Sequence, residues 1–342
     1  MSAKILHQTF PLAGFLENLD KKIRGLDTST LRSGFKTLDE EFPGWLHSGH
    51  LIFVAGRPAM GKSLFGQQIA EAVAESGKTV LFVSLEMSIL ELMERSVSRR
   101  SGVSLPKIKI GRGLTTDEVH KIHQAAVEAS SLSLRVCDSS LSIENLEEVL
   151  LKYPGELSAT ESPPLGLVVV DYAQLLKSIV GGSNRVIELG NITRILKELS
   201  KKLDIPVLCA AQVNRGVEDR PDKRPLMSDL RDSGNLEQDA DFVAFIYRDE
   251  YYNSATQDPG TAEIICRKNR HGGTGTASLR FDGPGLSFSD KTPTPQRHPA
   301  QNLSKTATGG LGGQVASYSS MIGNNGVKHD TAETAETAEA WY

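Results

Sequence analysis

The stretch Gly56-Arg57-Pro58-Ala59-Met60-Gly61-Lys62-Ser63 decides the fold. It has the form G-x-x-x-x-G-K-[ST], in which backbone N–H groups surround nucleotide phosphates, the lysine reaches the β- and γ-phosphates and the hydroxyl holds Mg²⁺. An apolar, β-prone run at 51–55 precedes it, and apolar residues at helical spacing follow it at 64–74. This order places phosphates at a helix N-terminus, where free N–H groups and the helix dipole favour anions. The sequence therefore predicts a nucleotide site formed by this stretch and Leu64.

Composition limits the class of protein. The chain has 342 residues, of which 39% are apolar and 23% charged, and its formal net charge is −4. These values are typical of a soluble globular protein. No apolar run approaches the roughly 20 residues of a membrane span, and the N-terminus lacks the pattern of a secretory signal, so we expect a cytoplasmic protein without membrane contact. The net charge excludes a wholly basic nucleic-acid coat but leaves room for a local basic channel.

Strand-like and helix-like segments alternate after the phosphate loop. This alternation predicts the α/β class, with a mostly parallel twisted sheet flanked by helices and a C-terminal β-hairpin. A segment rich in Pro, Gly, Ser and Thr, 153–164, is predicted to be a surface loop. The predicted strands are 51–55, 79–85, 133–136, 167–171, 205–211, 242–247 and 262–267, the hairpin is 277–281 with 286–288, and the main helices are 90–101, 116–131, 143–152 and 185–203.

Three regions are predicted along the chain. Residues 1–32 form an N-terminal segment with an amphipathic helix at 11–25, whose apolar stripe packs either on its own domain or on a neighbouring subunit. Residues 33–290 form the nucleotide-binding domain. Residues 291–342 are dominated by Pro, Gly, Ser, Thr and Ala and include a Thr-Ala-Glu repeat, so we expect a disordered tail.

Hydrolysis of a nucleoside triphosphate needs phosphate neutralisation, a metal, a group that orients water and a group that stabilises charge on the γ-phosphate. Lys62, Ser63 and Asp171 are candidates for the first two, since Asp171 ends an apolar strand. Glu86 follows another strand and is the candidate for orienting water; its alternative is a solvent-exposed carboxylate at a strand end. Gln212, after a third strand, is a candidate for contact with the γ-phosphate.

The last requirement has a candidate near the C-terminus. Lys268 and Arg270 occupy alternate positions, so their side chains point the same way in an extended segment. In a ring or filament they could reach a neighbour's nucleotide as an arginine finger does. The alternative is a basic turn at the surface.

Several motifs occur together with the phosphate loop. They include Phe82-Val83-Ser84-Leu85-Glu86-Met87, Val170-Asp171-Tyr172-Ala173-Gln174-Leu175, Gln212-Val213-Asn214-Arg215, Asp229-Leu230-Arg231-Asp232-Ser233-Gly234, Glu237-Gln238-Asp239-Ala240-Asp241 and Tyr247-Arg248-Asp249-Glu250. In combination they resemble the C-terminal motor domain of the DnaB-type replicative helicases. The resemblance extends over about 33–289, and the motifs between 223 and 250 are more specific than the phosphate loop.

The resemblance implies a RecA-like ATPase that uses ATP and Mg²⁺. It further implies a hexameric ring that binds single-stranded DNA in its channel and translocates 5′ to 3′ during DNA replication. By resemblance, the DNA-contacting loop is Arg231, Asp232, Ser233 and Gly234. Such a loop tracks the DNA backbone, which explains how an acidic chain could hold DNA without sequence preference.

The resemblance also assigns roles within the ATPase site. Lys62 and Ser63 match the phosphate-loop residues, Glu86 the catalytic glutamate and Asp171 the Mg²⁺ aspartate. The remaining matches are Gln212, the glutamine that senses the γ-phosphate, and the pair Lys268 and Arg270, which reaches the neighbouring subunit's ATP.

Some partners and functions stay open. Family members engage primase through an N-terminal helical domain, whereas here only the helix at 11–25, similar to the family's linker helix, precedes the motor, so binding of primase or a loader stays an open question. A RecA-like DNA-binding ATPase with a regulatory or recombination role and no unwinding is the alternative function. A small-molecule kinase is disfavoured because the sequence has no evident lid or acceptor site.

Overall fold

A computed structural model describes residues 12–24, 28–160, 162–180, 184–230 and 234–291. All of them belong to one structural unit, Met1–Thr292. The predicted tail from 292 onward and residues 231–233 of the predicted DNA loop lie outside the described residues. In the described helices, no segment has the length and apolarity needed to cross a membrane.

The centre of this unit is a nine-stranded sheet with the order β3-β2-β4-β5-β1-β6-β7-β8-β9. The six strands from β3 to β6 are parallel, and the last four strands in the order pair in antiparallel fashion. The strands are β1 (Leu51–Gly56), β2 (Thr79–Ser84), β3 (Leu134–Cys137), β4 (Leu165–Asp171), β5 (Val207–Gln212), β6 (Phe242–Tyr247), β7 (Thr261–Asn269), β8 (Gly275–Asp282) and β9 (Ser287–Asp290).

Helices cover both faces of the sheet, which explains why the parallel strands are continuous apolar runs instead of alternating ones. Every residue of β1, β2 and β6 is buried. The helices are α1 (Leu12–Ile23), α2 (Lys36–Glu41), α3 (Lys62–Glu75), α4 (Ile89–Ser101), α5 (Leu105–Ile110), α6 (Thr116–Ser130), α7 (Ile143–Ala159), α8 (Arg185–Leu203), α9 (Gly234–Asp239) and α10 (Asp249–Tyr252).

The core consists of two apolar layers, one on each face of the sheet. On one face, α2, α3 and α4 pack around Phe65 and the aromatic rings of Phe42 and Phe242. On the other face, α7, α8 and α9 pack on the strands. These layers confirm the predicted α/β class and the flanked parallel sheet, and β8 with β9 confirms the C-terminal hairpin.

One predicted loop is wrong. The segment 153–164 was expected to be irregular, but α7 continues through Pro154 to Ala159. The helix tolerates the proline because its apolar stripe continues beyond it, with Leu150 and Leu157 both buried against the domain. Tertiary packing of an apolar stripe outweighs the local cost of a helix breaker in this case.

A buried ion cluster joins the helix after the phosphate loop to the next helix. Glu71 of α3 has a side chain that is only 3% exposed, and it binds the guanidinium groups of Arg99 and Arg100 of α4. Gln67 donates from Nε2 to Glu71 Oε1 at 3.1 Å and to the carbonyl of Leu92 at 2.8 Å. The cluster fixes α4, and α4 begins directly after the segment that carries Glu86.

We expect Glu71→Ala to lower the free energy of unfolding by about 3 kcal/mol, because it leaves two largely buried guanidinium groups without their shared carboxylate. Urea unfolding measures this difference. The matched control is Glu75→Ala, which removes an exposed carboxylate that binds Arg100 at 2.6 Å and should cost less than about 1 kcal/mol. Equal losses for the two variants would show that the cluster does not fasten α4.

Candidate functional site

The phosphate loop connects β1 to α3, as the sequence predicts. Gly61 precedes the first helical residue, Lys62, and has a φ of 98°, while Ala59 has a φ of 63°. These left-handed conformations turn the chain sharply between the strand and the helix. A Cβ at Gly56 would lie 3.1 Å from the carbonyl oxygen of Ile246, so the start of the loop lies tight against β6.

The C-terminal hairpin supports this loop from one side. A Cβ at Gly61 would lie 2.8 Å from Cζ of Phe288, so only glycine fits at this position. Gln68 of α3 holds Phe288 through two hydrogen bonds, accepting from its N–H at 2.7 Å and donating to its carbonyl at 3.0 Å. The hairpin therefore forms one wall of the nucleotide site.

Lys62 lies in the loop and is largely withdrawn from solvent. Its Nζ donates to the carbonyl oxygen of Arg57 at 3.1 Å. Burial lowers the pKa of the Lys62 ammonium, and the carboxylates of Asp171 and Glu86 offset part of this effect. A buried ammonium that donates to a neutral carbonyl is well placed to bind an anion.

Asp171 ends β4 and is 1% exposed. Neither of its carboxylate oxygens has a hydrogen-bond partner among the described residues. Burial raises the pKa of Asp171, the Ser63 hydroxyl and the Lys62 ammonium lower it, and Glu86 raises it further. A buried carboxylate beside a hydroxyl supplies oxygen ligands of the kind that Mg²⁺ prefers, so the residues present fit a magnesium ion.

The other two predicted groups lie at the same edge of the sheet. Glu86 lies two residues beyond the end of β2, whose last residue, Ser84, pairs with Asp171. Gln212 ends β5 and pairs with Gly56 at the start of the phosphate loop. The strands β2, β4, β5 and β1 are consecutive and parallel in the sheet, so their carboxyl ends lie side by side. Glu86, Asp171, Gln212 and the phosphate loop therefore lie along the same side of the sheet.

Arg57 was predicted to bind the nucleotide, but its side chain turns away from the loop. The side chain is only 10% exposed, its Nε binds Glu218 Oε1 at 2.8 Å and its Nη1 donates to the carbonyl of Val213 at 3.1 Å. Any contact of Arg57 with phosphate would therefore come from its backbone. Beside it, a cavity of about 410 Å³ is lined by Arg57, Gln212, Val213, Asn214 and Arg215.

Arg248 lies in one of the motifs shared with the helicase family, but the sequence indicates no role for it. Its guanidinium stacks on the ring of Phe281 at 3.7 Å from the ring centre, and its Nη1 donates to the carbonyl of Ala59 at 3.2 Å. The pair therefore places an aromatic ring and a guanidinium, which also binds Glu250, next to the phosphate loop, and groups of this kind stack on nucleobases. No sequence pattern indicates that Phe281 meets Arg248, because the contact joins two segments that are distant in the chain.

Lys268 and Arg270 lie beside the amino end of β6, whereas the phosphate loop lies at the carboxyl ends of the parallel strands. Lys268 pairs with Val243 near the beginning of β6, and the Arg270 N–H donates to the carbonyl of Asp241, the residue before β6. Their side chains donate to the carbonyl oxygens of Glu237 and Gln238 in α9. Within one chain this pair is therefore remote from Lys62 and Asp171.

The predicted DNA loop is only partly described. Arg231, Asp232 and Ser233 lie outside the described residues, and Gly234 is the first residue of α9. The preceding segment returns to the strand edge, because Leu230 pairs with Val213 directly after Gln212. The described chain before residue 231 therefore ends beside the strand end that carries Gln212.

Comparisons with known proteins agree with this arrangement. Residues 16–290 match the family described as DnaB-like helicase C terminal domain. The chain is 42% identical over 253 residues to the replicative DNA helicase DnaB of Pasteurella multocida, covering 73% of this chain and 53% of that protein. It spans about half the length of the curated relatives that it matches.

Two solved structures have the same fold. One is an isolated ATPase domain, which aligns with a TM-score of 0.74 and 29% identity, covering 83% of this chain and all of that one. The other is a DnaB-like replicative helicase, in a structure that also concerns its interactions with primase; it aligns with a TM-score of 0.73 and 29% identity over 83% of this chain and 68% of that one. With its RecA-like nucleotide edge and a family match over most of its length, the chain belongs to the DnaB-like helicase C-terminal domains.

Proposed function

We propose that this chain is the motor of an ATP-dependent DNA helicase, which translocates 5′ to 3′ on single-stranded DNA as a ring and unwinds duplex DNA in replication. One observation supports the proposal: the phosphate loop, Gln212, Asp171 and Glu86 follow the carboxyl ends of neighbouring parallel strands, whereas Lys268 and Arg270 lie beside the amino end of β6. The names of the relatives support the replicative role, and the direction of movement follows from the family resemblance.

Within the ATPase edge, each residue has a proposed task. Lys62 binds the β- and γ-phosphates, whose charge offsets the burial that lowers the pKa of its ammonium. Ser63 and Asp171 hold Mg²⁺, which neutralises phosphate charge when it is bound. Glu86 orients the attacking water and Gln212 contacts the γ-phosphate. The surface beside Arg248 and Phe281 takes the adenine base.

Lys268 and Arg270, called the trans pair below, act on the ATP of a neighbouring subunit. The length of the central strands separates them from their own phosphate loop, so they are too remote to complete the site of the chain that carries them. In a closed ring, each subunit presents one edge to its neighbour's opposite edge. This arrangement makes a homo-oligomer, by family resemblance a hexamer, necessary for hydrolysis.

Two other surfaces complete the proposal. Residues 231–234 contact the DNA backbone, and α1 packs on a neighbouring subunit through an apolar stripe that is exposed in the single chain. The cytoplasmic location predicted from the sequence follows from DNA as the substrate, and the possible partnership with a loader or primase stays a prediction. The exposed stripe consists of Phe15, Leu16, Leu19 and Ile23.

We expect steady-state ATP hydrolysis to rise when long single-stranded DNA is added. The DNA concentration that gives half of this stimulation should increase by about tenfold or more between about 50 mM and about 200 mM salt, because phosphate contacts release counterions. Lys62→Ala should reduce turnover by more than about 100-fold with or without DNA. Lys36→Ala, which removes an exposed lysine from α2, is the control and should hydrolyse ATP normally.

Two results would count against this assignment. Turnover in Lys62→Ala equal to that of the unaltered chain would refute the nucleotide site. Turnover indifferent to DNA, with Lys62 required, would instead favour an ATPase with a metabolic or regulatory role.

We expect Arg270→Ala to lower DNA-independent turnover by about 1,000-fold, because an arginine finger supplies stabilisation of this order. Its affinity for ATP should change little. When Arg270→Ala subunits are mixed with Lys62→Ala subunits, turnover should reappear, since each variant supplies the part that the other lacks.

The matched control for this mixing experiment is Lys62→Ala with Asp171→Asn. Both changes damage the same phosphate site, so this mixture should remain inactive. Failure of the Arg270→Ala mixture to regain turnover would contradict action on a neighbouring subunit.

A further inference from the structure

We propose that Asp241 is a positioning residue for Arg270. One oxygen of its carboxylate accepts hydrogen bonds from β1 and α8, and the second oxygen faces the Arg270 guanidinium. Together with α9, Asp241 sets the direction in which the trans pair leaves the domain. This inference rests on the proposed function, because it concerns the pair that we assign to a neighbour's ATP.

The first oxygen, Oδ2, holds three parts of the domain together. It accepts from the Leu51 N–H at the start of β1 at 2.8 Å and from Lys197 Nζ of α8 at 2.6 Å. Lys197 also donates to the carbonyl of Gly49 at 2.7 Å. The Asp241 side chain is only 4% exposed, so these contacts fix the plane of the carboxylate.

The second oxygen, Oδ1, has a different environment. It lies 3.5 Å from Arg270 Nη1 and 4.0 Å from His271 Nε2, while the Asp241 carbonyl accepts from the Arg270 N–H at 2.9 Å. The Arg270 side chain is 42% exposed. A long contact to a half-exposed cation contributes little to folding. It does restrict where the guanidinium can point, because both the backbone and the side chain of Arg270 are held by the same residue.

The helix α9 provides the other half of the arrangement. The trans pair donates to two consecutive carbonyl oxygens near the C-terminal end of α9, those of Glu237 and Gln238. Cations are favoured at a helix C-terminus. The helix is in turn held to α8 by the Thr193 hydroxyl, which donates to Asp239 Oδ2 at 2.7 Å. The position of the trans pair therefore depends on Asp241 and on the attachment of α9.

The test is Asp241→Asn. The amide oxygen can keep the acceptor role of Oδ2, which places an NH₂ donor against the Arg270 guanidinium, itself a donor. We expect DNA-independent kcat to fall by about tenfold, the size usual for loss of a residue that orients a functional group, with the ATP concentration for half-maximal rate changed by less than about twofold. Mixing with Lys62→Ala subunits should raise turnover per Asp241→Asn subunit severalfold, because the Lys62→Ala subunits supply an unaltered trans pair.

One control separates positioning from stability. Ser200→Ala removes a buried hydroxyl of α8 that donates to the Gly49 carbonyl at 3.0 Å and does not bind Asp241, so it should lower the melting temperature while leaving kcat unchanged. An Asp241→Asn variant with normal kcat, or one whose loss is not recovered by mixing, would overturn the proposal. If the Arg270→Ala mixture also fails to recover, the proposed function itself fails, so the two failures can be told apart.

A second variant leaves Asp241 intact in case Asp241→Asn does not fold. Thr193→Val removes the hydroxyl that fastens α9, whereas Thr193→Ser keeps it. We expect Thr193→Val, and not Thr193→Ser, to lower kcat and to be recovered by mixing with Lys62→Ala subunits. A normal kcat in a folded Thr193→Val variant would overturn the proposal.

Discussion

The carboxylate of Asp171 is buried at the end of a central strand, and neither oxygen has a hydrogen-bond partner among the described residues. Such a group is costly unless a cation binds it. Lys62, the nearby ammonium, is itself withdrawn from water. A cation would stabilise the Asp171 carboxylate and an anion would stabilise the Lys62 ammonium. A magnesium–nucleotide complex would supply both.

The two proposed functions lie at opposite ends of the central parallel strands. At the carboxyl edge, consecutive strands present the phosphate loop, Gln212, Asp171 and Glu86. At the amino edge, Asp241 and α9 hold the trans pair. The segments that flank residues 231–233 touch both: Glu218 before them binds Arg57 of the phosphate loop, and α9 after them binds the trans pair.

Sequence patterns predicted the parts of this architecture that depend on local chemistry. The glycine loop, the apolar strands and the polar residue after each strand are local features, and parallel topology then brings those strand ends together. The direction of the Arg57 side chain, the stacking of Arg248 on Phe281 and the two roles of Asp241 depend on contacts between distant segments. No periodicity encodes them. The continuation of α7 beyond Pro154 was missed for the same reason, since it depends on the burial of Leu157.

The most direct test of the motor is displacement of a strand from a forked DNA duplex. The account predicts that the protein, with ATP and Mg²⁺, releases the strand from a fork with a 5′ single-stranded tail and not from one with only a 3′ tail. A non-hydrolysable ATP analogue should support no release. ATP hydrolysis that DNA stimulates without any strand being displaced would contradict the account and favour a RecA-like ATPase with a regulatory or recombination role.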